Sequence, residues 1–158
     1  MELGMIGLGR MGGNMAQRLL QGGHSVHGFD PAPAARDELS KDGGTPAESL
    51  EALVAALPAP RTLWMMVPAG GITDATVDAL SGLLSEGDVV IDGGNSNYKD
   101  TLRRAEALRA RGIAYVDCGT SGGVWGLEEG YSLMIGGDKP VVDRLRPVFE
   151  TLAPGKAL

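Results

Sequence analysis

The sequence predicts an α/β fold built on a doubly wound, mainly parallel sheet with helices on both faces. Apolar runs of strand length alternate with amphipathic helical segments along almost the whole chain, and this alternation is typical of a parallel sheet. Four of the runs lead directly into turns rich in glycine or proline, at Gly7, Pro68, Gly93 and Gly119. Right-handed crossovers place such turns on one edge of the sheet, so we expect them to line a single crevice.

The predicted strands are runs of apolar and β-branched residues that glycine or proline brings to an end. The continuous apolar run at 62–67 is typical of a strand that is buried on both faces. The stretch at 43–45 leaves room for only a very short strand. Strands are therefore expected at residues 3–8, 24–30, 43–45, 62–67, 88–92, 113–118 and 131–135.

The predicted helices carry apolar residues at the three- and four-residue spacing of one helix face. In the first of them this face includes Met15, Ala16, Leu19 and Leu20, and a pair of glycines ends the helix. Two prolines suit the first turn of the second helix. Helices are expected at residues 12–21, 31–41, 47–56, 72–84, 98–111 and 141–152.

Composition and charge are those of one globular domain, which is expected to span residues 1–158. Hydrophobic residues make up 43% of the chain, which argues against disorder, and its 25 glycines lack the period of collagen. The formal net charge of −6 argues against nucleic acid as a main partner, because phosphate contacts need a basic surface. Local N–H groups can still hold a small phosphorylated ligand.

The histidines and the single cysteine predict neither a metal site nor a disulfide. His24 and His27 share one face of a strand but lack a third ligand, and Cys118 has no partner cysteine, which fits a reducing compartment. No apolar run approaches the roughly 20 residues that cross a bilayer, and we expect no signal peptide, since the first apolar residues belong to the glycine motif. We therefore expect a cytoplasmic protein without membrane contact.

The strongest local signal is Gly7-Leu8-Gly9-Arg10-Met11-Gly12, a G-x-G-x-x-G pattern between a predicted strand and a predicted helix. In a Rossmann-type dinucleotide-binding unit the first glycine allows a sharp turn and the second lets a pyrophosphate approach the backbone. The third lets the helix pack on the strand. The N–H groups at the helix start then favour an anion. A glycine-rich turn without a ligand is the alternative interpretation.

Asp30 ends the second predicted strand, roughly 20 residues after the motif, where dinucleotide-binding folds carry an acidic residue. Its carboxylate can accept hydrogen bonds from the adenosine ribose of NAD, and it would repel the 2′-phosphate of NADP. No guanidinium stands next to it, and Arg36 is the nearest candidate, a turn or more away. A helix cap is the alternative role, because Asp before Pro is a common N-cap arrangement.

Together these motifs resemble the β-hydroxyacid dehydrogenases, and in particular their 6-phosphogluconate dehydrogenase branch. The glycine fingerprint resembles that of the whole superfamily. Asp30 and the stretch 125–130 resemble the shorter, NAD-preferring bacterial and archaeal form, since the longer NADP form has Asn-Arg-Thr after its second strand. The stretches that match the branch are Asp92-Gly93-Gly94-Asn95-Ser96, Gly119-Thr120-Ser121-Gly122-Gly123-Val124-Trp125-Gly126 and Ser132-Leu133-Met134-Ile135-Gly136-Gly137.

The resemblance implies an oxidative decarboxylation with NAD as cofactor and NADP less favoured. A hydride passes from 6-phospho-D-gluconate, a phosphorylated sugar acid, to the nicotinamide, and the oxidised acid loses carbon dioxide to give ribulose 5-phosphate. The cofactor-binding residues that it implies are Gly7, Leu8, Gly9, Arg10, Met11, Gly12, Asp30, Val67, Pro68, Ala69 and Asn95. The substrate-binding residues are Asn95, Ser121, Gly122 and Gly123, and the catalytic ones among them are Asn95 and Ser121.

Both of these polar residues also have a structural interpretation. The amide of Asn95 supplies a donor and an acceptor, yet Asn in this glycine-rich turn could simply hold the turn. Ser121 and the glycines after it offer a hydroxyl and N–H groups for a carboxylate, yet Ser121 could instead cap a helix. For each residue the sequence leaves the two interpretations open.

The catalytic lysine of this family lies in a Lys-x-x-x-Asn helix after the nucleotide domain, and no lysine of this chain matches that pattern. We therefore expect a cofactor-binding domain with little activity of its own, without the helical second domain that completes the substrate site and dimerises. The full-length enzyme would be a homo-oligomer. Two alternatives remain. One is another β-hydroxyacid dehydrogenase, of the 3-hydroxyisobutyrate or tartronate-semialdehyde type, and the other is a stand-alone NAD-binding regulatory module.

Overall fold

The structure of this protein is a computed structural model, which describes residues 1–68, 70–94 and 97–155. Its strands are β1 (Glu2–Ile6), β2 (Ser25–Phe29), β3 (Thr45–Pro46), β4 (Thr62–Met65), β5 (Val89–Asp92), β6 (Ala114–Ser121) and β7 (Ser132–Gly136). Its helices are α1 (Arg10–Gln21), α2 (Pro33–Lys41), α3 (Leu50–Ala56), α4 (Gly71–Leu83), α5 (Tyr98–Arg109), α6 (Gly126–Glu129), α7 (Lys139–Arg144) and α8 (Arg146–Leu152). A 3₁₀ turn covers Gly123–Trp125.

The described strands form one sheet in the order β3-β2-β1-β4-β5-β6-β7. Strands β1 to β6 run parallel, and β7 pairs with β6 in the antiparallel sense. The chain moves outward from β1 to β3 and then continues on the other side of β1 with β4. This topology confirms the predicted doubly wound, mainly parallel fold, and the reversal between β1 and β4 marks the place where such sheets bind ligands.

Apolar residues cover both faces of the central strands. In β4, Leu63 and Met65 pack into one cluster together with Leu80 of α4, whereas Trp64 packs into a second cluster with residues of α1 and α8. Side chains alternate across a strand, so one short strand supplies both clusters. All four residues of β4 are buried, which confirms the prediction of a strand that is covered on both sides.

Several predicted boundaries were wrong, and each error has a local cause. Strand β1 ends at Ile6 because Gly7, with a φ of +92°, turns the chain two residues earlier than expected. The predicted last helix is divided into α7 and α8, where Pro147 lacks the N–H that would continue the ladder of helical hydrogen bonds. The 3₁₀ turn and α6 were not predicted, because they lie in a glycine-rich stretch without an apolar period.

Strand β6 is longer than predicted, and this changes the position of the glycine-rich turn that follows it. It was expected to end at Cys118 but continues to Ser121, because β7 supplies hydrogen-bonding partners for its last residues. In this pairing Gly119 lies opposite Met134, and Ser121 lies opposite Ser132. The turn into the crevice therefore begins after Ser121, not at Gly119.

The contacts of His24, His27 and Cys118 are structural. His24 lies 2.9 Å from the N-terminal amine and 2.8 Å from Thr151 Oγ1, and His27 Nε2 lies 2.8 Å from Glu2 Oε2. Burial raises the pKa of the Cys118 thiol to about 12, so the thiolate is scarce at neutral pH. Among the described residues, no cluster of His, Cys, Asp or Glu side chains could hold a metal ion. No helix of the described residues is long and apolar enough to cross a bilayer.

Candidate functional site

The turn after β1 has the backbone geometry that the glycine pattern predicts. Gly7 lies in the left-handed region, and its N–H donates to Phe29 O at 2.9 Å. A Cβ on Gly7 would come closer than 3.0 Å to Met66 O, and a Cβ on Gly12 would come equally close to Gly7 O. Glycine at these two positions therefore lets the chain turn and lets α1 approach β1.

The start of α1 faces open space. Gly9 is its N-cap residue, a Cβ there would meet no atom within 4 Å, and no side chain of the described residues caps the helix. The first N–H groups of this 12-residue helix are therefore not bonded to a capping side chain of the described residues. Together with the positive end of the helix dipole, these donors favour an anion. Arg10 is exposed beside them, whereas the side chains of Leu8 and Met11 pack on the core.

Asp30 follows β2, and its carboxylate reaches the glycine turn. Oδ2 accepts from the N–H of Leu8 at 2.8 Å, and Oδ1 accepts from the N–H of Ala32 at 2.8 Å. The N-cap residue of α2 is Ala32, so the alternative role of Asp30 as the helix cap is wrong. An ionised carboxylate keeps lone pairs for further donors. Arg36 Nη1 donates to the main-chain carbonyls of Asp30 at 2.7 Å and of Pro31 at 3.3 Å.

A cavity of about 330 Å³ lies between the turns that follow β1, β2 and β4. It brings together predicted cofactor residues from three separate parts of the sequence, namely Gly7, Gly9, Asp30, Val67 and Pro68. The apolar part of its wall was not singled out from the sequence and includes Ile6, Phe29, Leu50, Met66 and Ile72. Apolar walls with one carboxylate at the rim suit a flat ring joined to a hydroxyl-bearing sugar.

The second predicted group lies on the same edge of the sheet. Ser121 is exposed at the end of β6, and the N-cap residue of the 3₁₀ turn is Gly122, so the alternative of Ser121 as a helix cap is wrong. Asp117 of β6 lies beside Asp92, the last residue of β5. The remainder of β6 therefore carries Ser121 roughly 13 Å past the end of β5, as one wall of the crevice. Of the other predicted residues, Ala69 and Asn95 lie outside the described residues.

Arg18 holds the chain that follows this wall, and its role was not predicted from the sequence. Its side chain is buried on α1, and the guanidinium donates only to main-chain carbonyls in the contacts that the structure describes. Carbonyls at the ends of α6 and α8 carry the negative end of the helix dipole, which favours a cation. The acceptors are Thr151 at 2.8 Å, Leu127 at 3.1 Å, Ala153 at 3.1 Å and Glu128 at 3.3 Å. An arginine inside the apolar stripe of α1 was the available signal.

Tyr131 supports the same stretch from the interior. Its side chain is fully buried, and its ring lies so close to Gly122 and Gly126 that a Cβ on either residue would come within 3.0 Å of it. The N–H of Tyr131 donates to Leu152 O at 2.7 Å, which ties it to the end of α8. Packing against Tyr131 therefore favours glycine at positions 122 and 126, independently of any ligand.

Comparison with known proteins identifies the family. The family described as the NAD binding domain of 6-phosphogluconate dehydrogenase matches residues 2–157. The NAD(+)-dependent, decarboxylating 6-phosphogluconate dehydrogenase of Haloferax volcanii is 48% identical over 155 residues, which cover 98% of this chain and 51% of that protein. The chain thus spans about half the length of the first curated relatives that it matches.

Two solved structures show the same fold. A 6-phosphogluconate dehydrogenase of Plasmodium falciparum has a TM-score of 0.91 at 26% identity, over 98% of this chain and 34% of that one. A 3-hydroxyisobutyrate dehydrogenase of Mycobacterium tuberculosis has a TM-score of 0.89 at 29% identity, over 96% of this chain and 52% of that one. Because the family match covers almost every residue, this chain belongs to the family of NAD-binding domains of 6-phosphogluconate dehydrogenase.

Proposed function

We propose that this chain binds the cofactor in an enzyme that oxidatively decarboxylates 6-phospho-D-gluconate to ribulose 5-phosphate, with NAD preferred to NADP. One observation carries the proposal: the glycine turn, the open start of α1 and the Asp30 carboxylate surround the crevice at the reversal between β1 and β4. The names of the relatives support the choice of substrate. The complete enzyme would be a cytoplasmic homo-oligomer, and this chain alone would turn over little substrate.

The described residues fit a dinucleotide. Gly9 leaves open space next to the N–H groups of α1, which is what a pyrophosphate needs. The cavity beside Asp30 would hold the adenosine, and Val67, Pro68 and the neighbouring Ala69 would border the riboses. When bound, NAD supplies the acceptor for the hydride of the sugar acid.

The preference for NAD rests on charge. The carboxylate of Asp30 would accept from ribose hydroxyls but would repel a 2′-phosphate. Arg36 is the nearest cation that could offset this repulsion of a 2′-phosphate, yet its Nη1 already donates to the carbonyls of Asp30 and Pro31. The H. volcanii relative is named as NAD(+)-dependent, which supports the same choice.

Replacing the carboxylate tests this preference. We expect the wild-type chain to bind NAD at least several-fold more tightly than NADP, and Asp30→Ala to shrink that ratio. Like charges placed against each other cost on the order of 1 kcal/mol or more, and about 1.4 kcal/mol is tenfold in affinity. Calorimetric titration with both cofactors measures the ratio. Asp37→Ala removes an exposed carboxylate from α2 and serves as the control for net charge; an unchanged ratio in Asp30→Ala would show that the ribose assignment is wrong.

The substrate would meet the chain at the wall formed by Ser121. Its exposed hydroxyl and the N–H groups of Gly122 and Gly123 would bind the carboxylate end of the sugar acid. Asn95 would contact both substrate and nicotinamide through its amide. No lysine of this chain matches the Lys-x-x-x-Asn pattern of the family's catalytic lysine, so we propose no proton donor or acceptor here.

Turnover by the complete gene product tests the reaction. With NAD we expect oxidation of 6-phosphogluconate and release of carbon dioxide. The absorbance of NADH measures the oxidation, and a coupled assay measures the carbon dioxide. Asn95→Ala should lower kcat on the order of 100-fold, the usual loss of a polar group that acts in the transition state, while NAD affinity changes by less than about threefold. Equal turnover in the variant and the wild type would contradict the role of Asn95.

A second candidate function is supported by the 3-hydroxyisobutyrate dehydrogenase neighbour, whose fold is as similar as that of the P. falciparum enzyme. The same assay with 3-hydroxyisobutyrate separates the two. Faster turnover of that smaller acid than of 6-phosphogluconate would replace the proposed substrate without changing the proposed cofactor site.

A further inference from the structure

A buried network of charged and hydroxyl groups lies directly beneath the crevice. Asp92 at the end of β5 is 1% exposed, and Arg104 on α5 is 2% exposed. Asp92 Oδ1 accepts from the N–H of Gly94 at 3.0 Å, and Oδ2 accepts from the hydroxyl of Tyr115. Arg104 Nη1 lies 3.6 Å from Asp92 Oδ2. Burial, and then the carboxylate of Asp92, raise the pKa of Tyr115, so its hydroxyl remains a donor at neutral pH.

Arg104 connects this network to the neighbouring turn. Its Nε donates to Asp74 Oδ1 at 2.9 Å, and its Nη2 lies 3.4 Å from Gly70 O. Gly70 is the N-cap residue of α4, in the turn that follows β4 and Pro68, and Asp74 lies in the first turn of the same helix. One guanidinium therefore contacts both the turn after β4 and the carboxylate that holds the turn after β5.

The contacts of Asp92 and Arg104 indicate a role in positioning main-chain atoms, besides any contribution to the stability of the fold. A buried ion pair contributes little to folding, because desolvation of both charges offsets their attraction. Here the charged groups bond to main-chain atoms that follow the two strands, the N–H of Gly94 and the carbonyl of Gly70, which fixes the positions of these two residues. In the proposed function Val67 and Pro68, at the start of the turn after β4, line the adenosine cavity, whereas Gly70 and Gly94 do not line it and lie toward β5, where the nicotinamide half would lie.

We infer that Asp92 and Arg104 are positioning residues that hold the turns after β4 and β5 at the separation needed by the nicotinamide half of the dinucleotide. The inference rests on the proposed cofactor site. Asp30 lies on the other side of the reversal point, toward β2, and the cavity beside it extends from there to Val67 and Pro68. Because the network bonds to Gly70 and Gly94, and neither residue lines that cavity, we expect its effect on the nicotinamide half of the ligand.

Two ligands separate a positioning role from a structural one. NAD needs both halves of the site, whereas ADP-ribose lacks the nicotinamide. Arg104→Met removes the contacts to Asp92, Asp74 and Gly70. We expect it to weaken NAD binding about tenfold, the equivalent of one hydrogen bond to a charged group, and to change ADP-ribose binding less than about twofold. Calorimetric titration of this chain measures both affinities, and thermal unfolding confirms that each variant is folded.

Arg103→Met is the matched control. Arg103 is adjacent on α5 and also donates to Asp74, but it is exposed and has no described contact with Asp92 or Gly70. It should change neither affinity. Tyr115→Phe is the milder variant if Arg104→Met fails to fold; it removes one donor to Asp92 and should weaken NAD binding about threefold with ADP-ribose binding again unchanged.

Equal losses for both ligands, or no loss for either, would overturn the inference. Wild-type chain that binds neither NAD nor ADP-ribose would instead refute the proposed cofactor site itself. The two failures are therefore distinguished by the wild-type titration.

Discussion

Gly12→Ala is expected to destabilise this domain by about 3 kcal/mol, the upper part of the usual range for overpacking. The added Cβ would lie closer than 3.0 Å to the carbonyl oxygen of Gly7, which belongs to main chain and cannot rotate away. The start of α1 must then separate from β1, and the N–H groups that face the crevice move with it. Chemical denaturation measures the free energy of unfolding, and titration with NAD measures the accompanying loss of affinity.

Gly82→Ala is the control for adding a methyl group to a helical glycine. Gly82 lies in α4, and a Cβ there would meet no atom within 4 Å. Alanine is the better helix former, so this variant should be more stable by up to about 1 kcal/mol. If Gly12→Ala were as stable as the wild type, the close packing of α1 on the glycine turn would be disproved.

Arg18→Met is expected to lower the free energy of unfolding by about 3 kcal/mol, because one buried and three partly buried carbonyls at the ends of α6 and α8 lose their donor. Methionine retains much of the apolar stem of arginine, so the loss reports mainly on hydrogen bonds and charge. The stretch after Ser121 should also become less ordered, since Arg18 donates to Leu127 O and Glu128 O. Denaturation and amide hydrogen exchange measure the two effects.

Arg10→Met makes the same substitution on an exposed residue of the same helix. Its unfolding free energy should stay within about 0.5 kcal/mol of the wild type, as for most surface changes. A similarly small effect of Arg18→Met would show that water replaces the guanidinium at these carbonyls.

The parts of the fold that the sequence predicted are those governed by local pattern. The apolar run of β4 and the amphipathic stripe of α1 are strong periodic signals, and both elements are confirmed. The glycine pattern predicted the turn after β1 because its spacing reflects a backbone constraint, which the φ of Gly7 and the packing of Gly12 now show. The position of Asp30 followed from the same rule of spacing.

The parts that the sequence did not predict depend on partners distant along the chain. Strand β6 extends to Ser121 only because β7 folds back beside it, and local propensity carries no record of that pairing. The role of Arg18 depends on carbonyls more than a hundred residues away. The contact between Arg104 and the turn after β4 likewise joins elements that only the folded sheet brings together.

The central claim is that the turn after β1 receives the pyrophosphate of a dinucleotide, and Gly9→Ala tests it most directly. A Cβ on Gly9 would meet no atom of the described protein within 4 Å, and its φ of −65° suits alanine, so stability should stay within about 0.5 kcal/mol of the wild type. The same Cβ would occupy the space into which the pyrophosphate must come. We therefore expect calorimetry to show NAD binding by the wild-type chain and a loss of about tenfold or more in Gly9→Ala. Equal NAD affinity in the two proteins would contradict the account.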